Sequence, residues 1–425
     1  MLLWASMGLN IMLFTSLIKS AFRVGALRVA DHRGVVKLYG DGSPPRCTIR
    51  LTKASLEYKL GINPGLRVPE AYMNGDLLIE DGTLYDFIEL AAQNYSSVEA
   101  YPLLKIMRMI GLGSKKIRQY NPISVARNNV AHHYDLSEEL YSLFLDHDRQ
   151  YSCAYFNTPD EDLGTAQLNK KRHLASKLLL NKKNLNILDI GSGWGGLGIY
   201  LASISSGNIT GVTLSTEQHK ISNERVSAAG LNKRVKFLLQ DYRELPYKFE
   251  RIVSVGMFEH VGKKNYREYF SKVRDLLTDD GVAVIHSIGR LDTPSAINPF
   301  IRNYIFPGAD IPALSEIMPF VEQSGLICTD IEILRLHYAE TLRHWREAFE
   351  KQRHKIAAIY DERFCRMWEL YLTICEMGFR YENLIVFQIQ ITKTLDTVPL
   401  TRDYMFDWER DQMEREKLNS NEKPV

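Results

Sequence analysis

The chain reads as an α/β protein built on a doubly wound, Rossmann-like sheet, with a small α+β domain ahead of it. Three observations carry that reading. Strand-like runs alternate with helical patterns from about residue 126 to 395. One of those runs, Asn186–Ile190, passes directly into a glycine turn and then a helical pattern. The stretch from about Gly25 to Ala92 is instead short-segmented and β-rich.

In the N-terminal stretch, VVKLYG and TIRLTK are strand-like and separated by the turn-forming DGSPP. LLIEDG adds a strand and LYDFIEL a helix. Before it, Met1 to Ile18 carries no charge, and Lys19, Arg23 and Arg28 follow at once. Its polar residues and missing basic lead make it a poor signal peptide. A helix lying on a membrane or packing on the next domain is expected rather than a spanning one. After the small domain, Lys105, Arg108, Lys115, Lys116 and Arg118 mark a basic linker, which is either simply solvated or attracted to anionic head groups.

Within the larger segment, strands are expected at 186–190, 208–214, 235–239, 251–256 and 281–288. Helices are expected at 195–203, 217–229 and 266–277. Two later strands, 327–334 and 384–391, are expected to close the other edge of the sheet. The polar end of the chain predicts an exposed helix followed by disorder. The expected division is therefore an apolar helix (1–24), a small α+β domain (25–104), a basic linker (105–125), the α/β domain (126–395) and a polar tail (396–425).

Of the 425 residues, 45% are hydrophobic and 24% charged, ordinary values for a packed protein. A net charge of +2 does not call for nucleic acid. Five cysteines, an odd number without a C-x-x-C pair, argue for a reducing compartment and against a disulfide framework or a metal site.

The segment ILDIGSGWGGLGIY is a nucleotide-cofactor cradle: glycines permit tight turning and close approach, and a helix N-terminus points at the same spot. A dinucleotide is disfavoured. The next strand ends in Thr213-Leu214-Ser215, without the acidic residue that would hold a NAD ribose. The strand after it ends in Gln240-Asp241, suited to an adenine amino group, and Asp189 suits a cationic amino-acid moiety. Glu259-His260 and His286 also fall at the carboxyl edge of the sheet, where ligands bind in such folds.

The order of motifs resembles the cyclopropane fatty acid synthase family. The matching segments are AHHYDLSEELYSLFLD, QYSCAYF, LDIGSGWGG, GVTLSTEQ, MFEHVG, IHSIG, NYIFPGADIPALSE, HYAETLRHW and MWELYLTICEMGFR, with PEAYMNGDL in the small domain. The resemblance implies a class I methyltransferase sheet and S-adenosyl-L-methionine as cofactor. Cofactor contacts would come from Tyr151 and Ser152, from the turn of Asp189, Gly191, Ser192, Gly193 and Gly195, from Thr213, Leu214, Ser215 and Gln218 (the last on the ribose), and from Asp241, Tyr242 and Arg243. It further implies a bound bicarbonate, held by Cys153, Glu259, His286, Tyr338 and Cys375.

The implied reaction delivers a methyl group to an alkene, which has no lone pair, so a carbocation results and a proton must leave as the ring closes. That needs a base nearby and no competing nucleophile or loose water. Tyr155, Phe156, Tyr304 and Phe306 are candidates to face the cation. Cys375 is expected to be a wall or ligand rather than a nucleophile, since alkene methylation presents no acyl carbon. The implied substrate is an unsaturated acyl chain in a membrane phospholipid, which places the enzyme peripherally on the cytoplasmic face of the membrane; a homodimer is one candidate assembly, and the sequence does not fix the oligomeric state. A methyl-branched or hydroxylated product, amine methylation and a non-catalytic lipid-binding homologue are the alternatives.

Overall fold

Residues 13–99 and 137–421 are described by the computed structural model, and they pack as two units. The first twelve residues of the apolar run, the basic linker and the last four residues lie outside the described residues.

The smaller unit begins with α1 (Leu13–Ala21), whose Phe14, Leu17, Ile18 and Ala21 recur at helical spacing and are buried. Of the two expectations for this helix, packing within the protein is the one observed. Thr15 Oγ1 donates to Glu57 Oε1 at 2.8 Å. No helix among the described residues is long and apolar enough to cross a membrane. The strands β1 (Ala26–Ala30), β2 (Val36–Tyr39) and β3 (Arg46–Leu51) follow, then α2 (Leu56–Ile62), α3 (Pro64–Met73), β4 (Leu77–Asp81), α4 (Leu84–Gln93) and α5 (Tyr95–Glu99). The sheet order is β2-β1-β3-β4, with β1 and β3 parallel and the other pairs antiparallel. Thr83 and Asp86 cap α4 reciprocally.

The expected boundaries need correction here. Residues 295–305 and 349–382 pack with this unit, not with the α/β domain. A sheet of four short strands buries too little by itself, and the helix Glu362–Tyr381 covers α3 and α4. Polar side chains tie it down: Tyr72 donates to Glu369 at 2.8 Å, Arg363 to Asn74 at 3.0 Å and Tyr381 to Glu89 at 2.7 Å.

The larger unit holds a seven-stranded sheet. Its elements are α6 (Glu138–Phe144), α7 (Leu163–Lys177), β5 (Asn186–Ile190), α8 (Gly196–Ile204), β6 (Asn208–Thr213), α9 (Thr216–Ala228), β7 (Val235–Leu239), β8 (Phe249–Val255), α10 (Tyr266–Leu276), β9 (Leu277–Arg290), α11 (Leu314–Gln323), β10 (Ile327–Ile333), the first half of α12 (His337–Ile359), β11 (Leu384–Thr392) and α13 (Asp403–Asn421). The order is β10-β11-β9-β8-β5-β6-β7. Strands β5 to β9 are mutually parallel, whereas β11 lies antiparallel between β9 and β10.

Neighbouring residues on a strand face opposite ways, and here both directions are apolar. Leu188, Ile252 and Ile285 pack toward α10 and α11, while Ile187, Val253 and Val284 pack toward α7 and α8. That alternation is the double winding expected from the sequence. The later strands do close one edge, but as an antiparallel insertion in which β11 is interior and fully buried along most of its length.

The tail differs from the expected exposed helix. Trp408 of α13 packs against the core around α7 and α8, and Met405 is buried. The Glu416 carboxylate accepts from Arg172 on α7, from the Tyr200 hydroxyl at 2.7 Å and from Gln412 at 2.9 Å. Arg172 is buried, so removing this partner would leave its charge uncompensated. Glu416→Ala is expected to cost about 2–4 kcal/mol in chemical denaturation. Asp407→Ala, which breaks an exposed pair with Arg410 on the same helix, should stay within about 0.5 kcal/mol of the parent. Equal effects would mean that the tail is not docked as described.

Candidate active site

Strand β5 ends in Asp189-Ile190, and the chain turns through Gly191, Gly193 and Gly195, all with positive φ, into α8. Two of these glycines serve different purposes. A Cβ on Gly193 would meet nothing within 4 Å, so its bareness leaves open space in the cleft. A Cβ on Gly195 would sit 2.8 Å from the Phe237 ring, so its bareness lets α8 pack against the sheet. The turn is anchored to β6 by Gly191 and Ser192, whose amides donate to the Val212 carbonyl at 2.9 and 3.0 Å.

A cleft opens above this turn, at the carboxyl edge of the parallel strands. Every residue expected to contact the cofactor lines it except Gly195 and Ser215. Gly195 acts through packing, as above. Ser215 is buried and caps α9, accepting from the Gln218 amide. Gln218 itself faces the cleft in the first turn of α9, with Oε1 accepting from Thr213 Oγ1 at 3.0 Å. Asp241 is gripped by Arg243, whose Nε and Nη2 reach its two oxygens at 2.9 and 2.8 Å. Its carboxylate is thus oriented before any ligand arrives.

Asp189 is buried, and its Oδ2 has no hydrogen-bond partner. Burial lifts its carboxyl to about 7 against the pull of nearby Lys170. Lys170 is itself fully buried on α7. Its ammonium donates to Gln150 Oε1 and, at 2.9 Å, to Ser152 Oγ, and both of those residues line the cleft. Burial lowers it to about 8. Neither its position nor the polar helix that carries it was foreseen from the sequence.

His260 also lines the cleft, where burial depresses its imidazole to about 4, so it is neutral at physiological pH. The sequence places Glu259-His260 together at this edge, and the family resemblance gives a role to Glu259 alone.

None of the five residues implied for the anion lines the cleft itself, and Cys153, Glu259 and His286 adjoin residues that do. Cys153 follows Ser152 and is buried, its thiol pushed up by burial. His286 is buried on β9, and its carbonyl accepts from the amide of Gly256, a cleft residue, at 2.9 Å. Burial drives its imidazole well below the usual range, as do the charges of Lys170 and Lys177. Lys170 is therefore the common neighbour of Asp189, Cys153 and His286. Tyr338 is buried on α12, edge-on to Trp345. That helix pins the Cys153 segment, since His337 Nδ1 accepts from the Phe156 amide and Thr341 Oγ1 from the Ala154 amide.

Glu259 approaches β9 from elsewhere. Its Oε1 accepts from the Ile288 amide at 2.7 Å, while Oε2 is buried without a partner. Burial lifts this carboxyl to about 7, so it holds its proton below neutrality. Cys375 belongs to the smaller unit, its thiol pushed up to about 12 by burial and then by Glu382.

The aromatic candidates divide as well. Tyr155 is stacked between His173 and His337, and Phe156 lies against His337 and His344. Tyr304 is in the smaller unit, bonded to Glu70. Phe306 is the candidate that lies near a cleft residue, 6.4 Å from the His260 ring.

Comparison with known proteins agrees with this architecture. Residues 123–389 match the family model for mycolic acid cyclopropane synthetase. A probable fatty acid methyltransferase from Pseudomonas putida is 42% identical over 289 residues, 65% of this chain and 73% of that one. The cyclopropane-fatty-acyl-phospholipid synthase of Escherichia coli K12 is 41% identical over 264 residues, 62% and 67% of the two chains. Among solved structures, the cyclopropane synthase MmaA2 from Mycobacterium tuberculosis aligns with a TM-score of 0.61 at 30% identity, covering 64% of this chain and 99% of the other. The mycolic acid cyclopropane synthase CmaA1, crystallised with SAH and CTAB, aligns at 0.60 and 31% identity with the same coverage. The sheet order, the glycine turn and these matches together place the chain in the mycolic acid cyclopropane synthetase family of S-adenosylmethionine-dependent class I methyltransferases.

Proposed function

We propose that this chain transfers a methylene group from S-adenosyl-L-methionine to the cis double bond of an unsaturated acyl chain in a membrane phospholipid, forming a cyclopropane ring, with a bound bicarbonate as base. The observation that carries the reading is the pair tied to β9: Glu259, protonated up to about pH 7 with one oxygen unsatisfied, and the neutral His286 two residues before its backbone partner. A carbocation on an acyl chain would be trapped by any exposed thiolate or carboxylate. The groups behind this cleft are instead held as a thiol, a carboxylic acid and an uncharged imidazole.

The residues fit both absent groups. For the cofactor, the cleft offers the open cradle at Gly193 and the unpartnered Oδ2 of Asp189 facing a cationic amino-acid moiety. For a small anion, it offers the buried Lys170, whose direct partners are neutral, a donor in His286, and the unsatisfied Glu259 carboxyl. When bound, the cofactor supplies an electrophilic methyl group and the bicarbonate a proton acceptor.

The chain's own residues then hold geometry and exclude water: Glu259 and His286 orient the anion, Tyr338 closes it off, and Phe306 offers a ring face. An acyl acceptor is supported by the names of the relatives. Besides the Escherichia coli synthase, they include a tuberculostearic acid methyltransferase 40% identical and a methoxy mycolic acid synthase 31% identical. A substrate inside a bilayer requires contact with a membrane surface.

Mass spectrometry of membrane lipids from cells with and without the chain tests the reaction. A gain of one CH2 with the unsaturation equivalents retained is expected; a saturated methyl-branched product would replace ring closure by another end to the same cation. Glu259→Gln and His286→Ala should lower turnover on the order of 100-fold or more while cofactor affinity by calorimetry changes little. Lost cofactor affinity would assign both residues to the wrong site. Cys375→Ser should keep most of the activity, and a folded but inactive variant would give the thiol a chemical role.

The Glu259 carboxyl also predicts a stability profile. Its folded-state value is raised from 4.5 to about 7, so between those pH values the native state binds a proton that the unfolded chain has released. Stability therefore falls as pH rises through that window, by about 3 kcal/mol in full. Glu259→Gln should remove this part of the decline when urea denaturation at pH 5 and pH 8 is compared.

A further inference from the structure

Behind His286 runs a chain of hydrogen bonds that the reaction does not use directly. His286 Nδ1 lies 3.1 Å from Gln388 Nε2 on β11. Gln388 Oε1 accepts from the Lys177 ammonium on α7 at 2.7 Å. Lys177 in turn pairs with Glu332 of β10, and the same Glu332 oxygen meets His173 Nε2 at 2.6 Å. Gln388, Lys177, His286 and His173 are all buried.

We propose that Gln388 is a positioning residue which, oriented by Lys177, locks His286 in the tautomer bearing its proton on Nε2, so that this nitrogen is a standing hydrogen-bond donor to the catalytic anion. The inference rests on the reading of His286 given above and deepens it. The logic is one of donors and acceptors. An ammonium has no lone pair, so the amide atom facing Lys177 must be the carbonyl oxygen. Turning the amide over would oppose NH2 to NH3+ in a buried site and leave the carbonyl elsewhere. The amide NH2 therefore faces His286, and since it can only donate, Nδ1 must accept. A neutral imidazole with Nδ1 unprotonated carries its proton on Nε2.

The charged and titratable groups around His286 are Lys170, Lys177 and His173 from α7 and Glu332 from β10. Glu332 is the acceptor that keeps Lys177 a donor in this dry environment. Without it, nothing would oblige the Gln388 oxygen to face that way.

The wild-type protein itself provides the first test. In the full-length chain with 15N-labelled histidine, His286 (identified by the signals missing from His286→Asn) should show an unprotonated Nδ1 and a protonated Nε2, unchanged between pH 6 and 9. A protonated Nδ1 would overturn the proposal without any turnover assay. Gln388→Glu replaces the donor by an acceptor and should move the imidazole proton to Nδ1 or charge the ring. It should lower kcat about 10- to 100-fold on vesicles of a monounsaturated phospholipid, with the cofactor Kd within about twofold. Gln388→Met, which neither donates nor accepts a strong bond, should leave a mixture of tautomers and an intermediate kcat. Wild-type kcat in Gln388→Glu alongside a moved proton would also refute it. Should the wild-type chain make no cyclopropane lipid, the functional reading falls, while the tautomer measured in the resting protein still decides this one.

Discussion

The larger unit depends on burying a basic helix. Lys170, Lys171, Arg172, His173 and Lys177 of α7 are all nearly inaccessible to water, and an unpaired buried charge costs several kcal/mol. Each therefore needs a partner that the rest of the chain must bring to it. Lys171 meets Asp148 at 2.6 Å, and Lys170 meets Gln150 and Ser152. Arg172 and His173 meet Glu416 and Glu409 of the C-terminal helix, and Lys177 meets Glu332 and Gln388. Three separate parts of the unit are tied to one element in this way: the wall of the cleft, the antiparallel end of the sheet and the tail. The helix is thus a shared support, and the cofactor loop inherits its position from it.

The same burial sets the electrostatics of the site. Asp189 and Glu259 are lifted to about 7 and His260 is lowered to about 4 by the same cause, loss of water around the charged form. The reaction proposed above would gain from such neutrality, because nucleophiles would capture a carbocation. Lys170 is the exception, a buried ammonium touching only neutral oxygens.

The parts legible in the sequence are those governed by local rules. The strand, glycine turn and helix around Gly193 are specified within a dozen residues, and the two-sided apolar strands announce a sheet covered on both faces. Helix α7 was not legible for the opposite reason. Its QLNKKRHLASK is polar nearly all round and reads as a solvated segment, since its partners lie up to 244 residues away in sequence. The tail reads as an exposed helix for the same reason, because Glu409 and Glu416 look like surface charges until Arg172 and His173 are placed beside them. Residues 295–305 and 349–382 carry no local mark of belonging to the smaller unit; only the apolar faces of α3 and α4 require them. Gly195 and Ser215 sit inside a correctly read motif, yet one clears a path for Phe237 and the other caps a helix. A motif locates a site without saying which of its members face the ligand.

Strand β9 joins these threads. His286 lies on its α7 face, in step with Val284, and its imidazole is held from behind by Gln388 of β11. Two residues on, the Ile288 amide holds Glu259, which arrives from the loop after β8. His286 and Glu259 are thereby referred to a single extended segment whose spacing is fixed by backbone geometry, not by side-chain flexibility. The insertion of β11 beside β9 follows the same logic: only an interior neighbour supplies a buried amide at the His286 register, paired directly with Gln388. An exposed edge there would hand Nδ1 to water and leave the tautomer unspecified. Under the proposal made above, the antiparallel strand that interrupts an otherwise parallel sheet has a chemical consequence, because it would make His286 a donor of fixed direction.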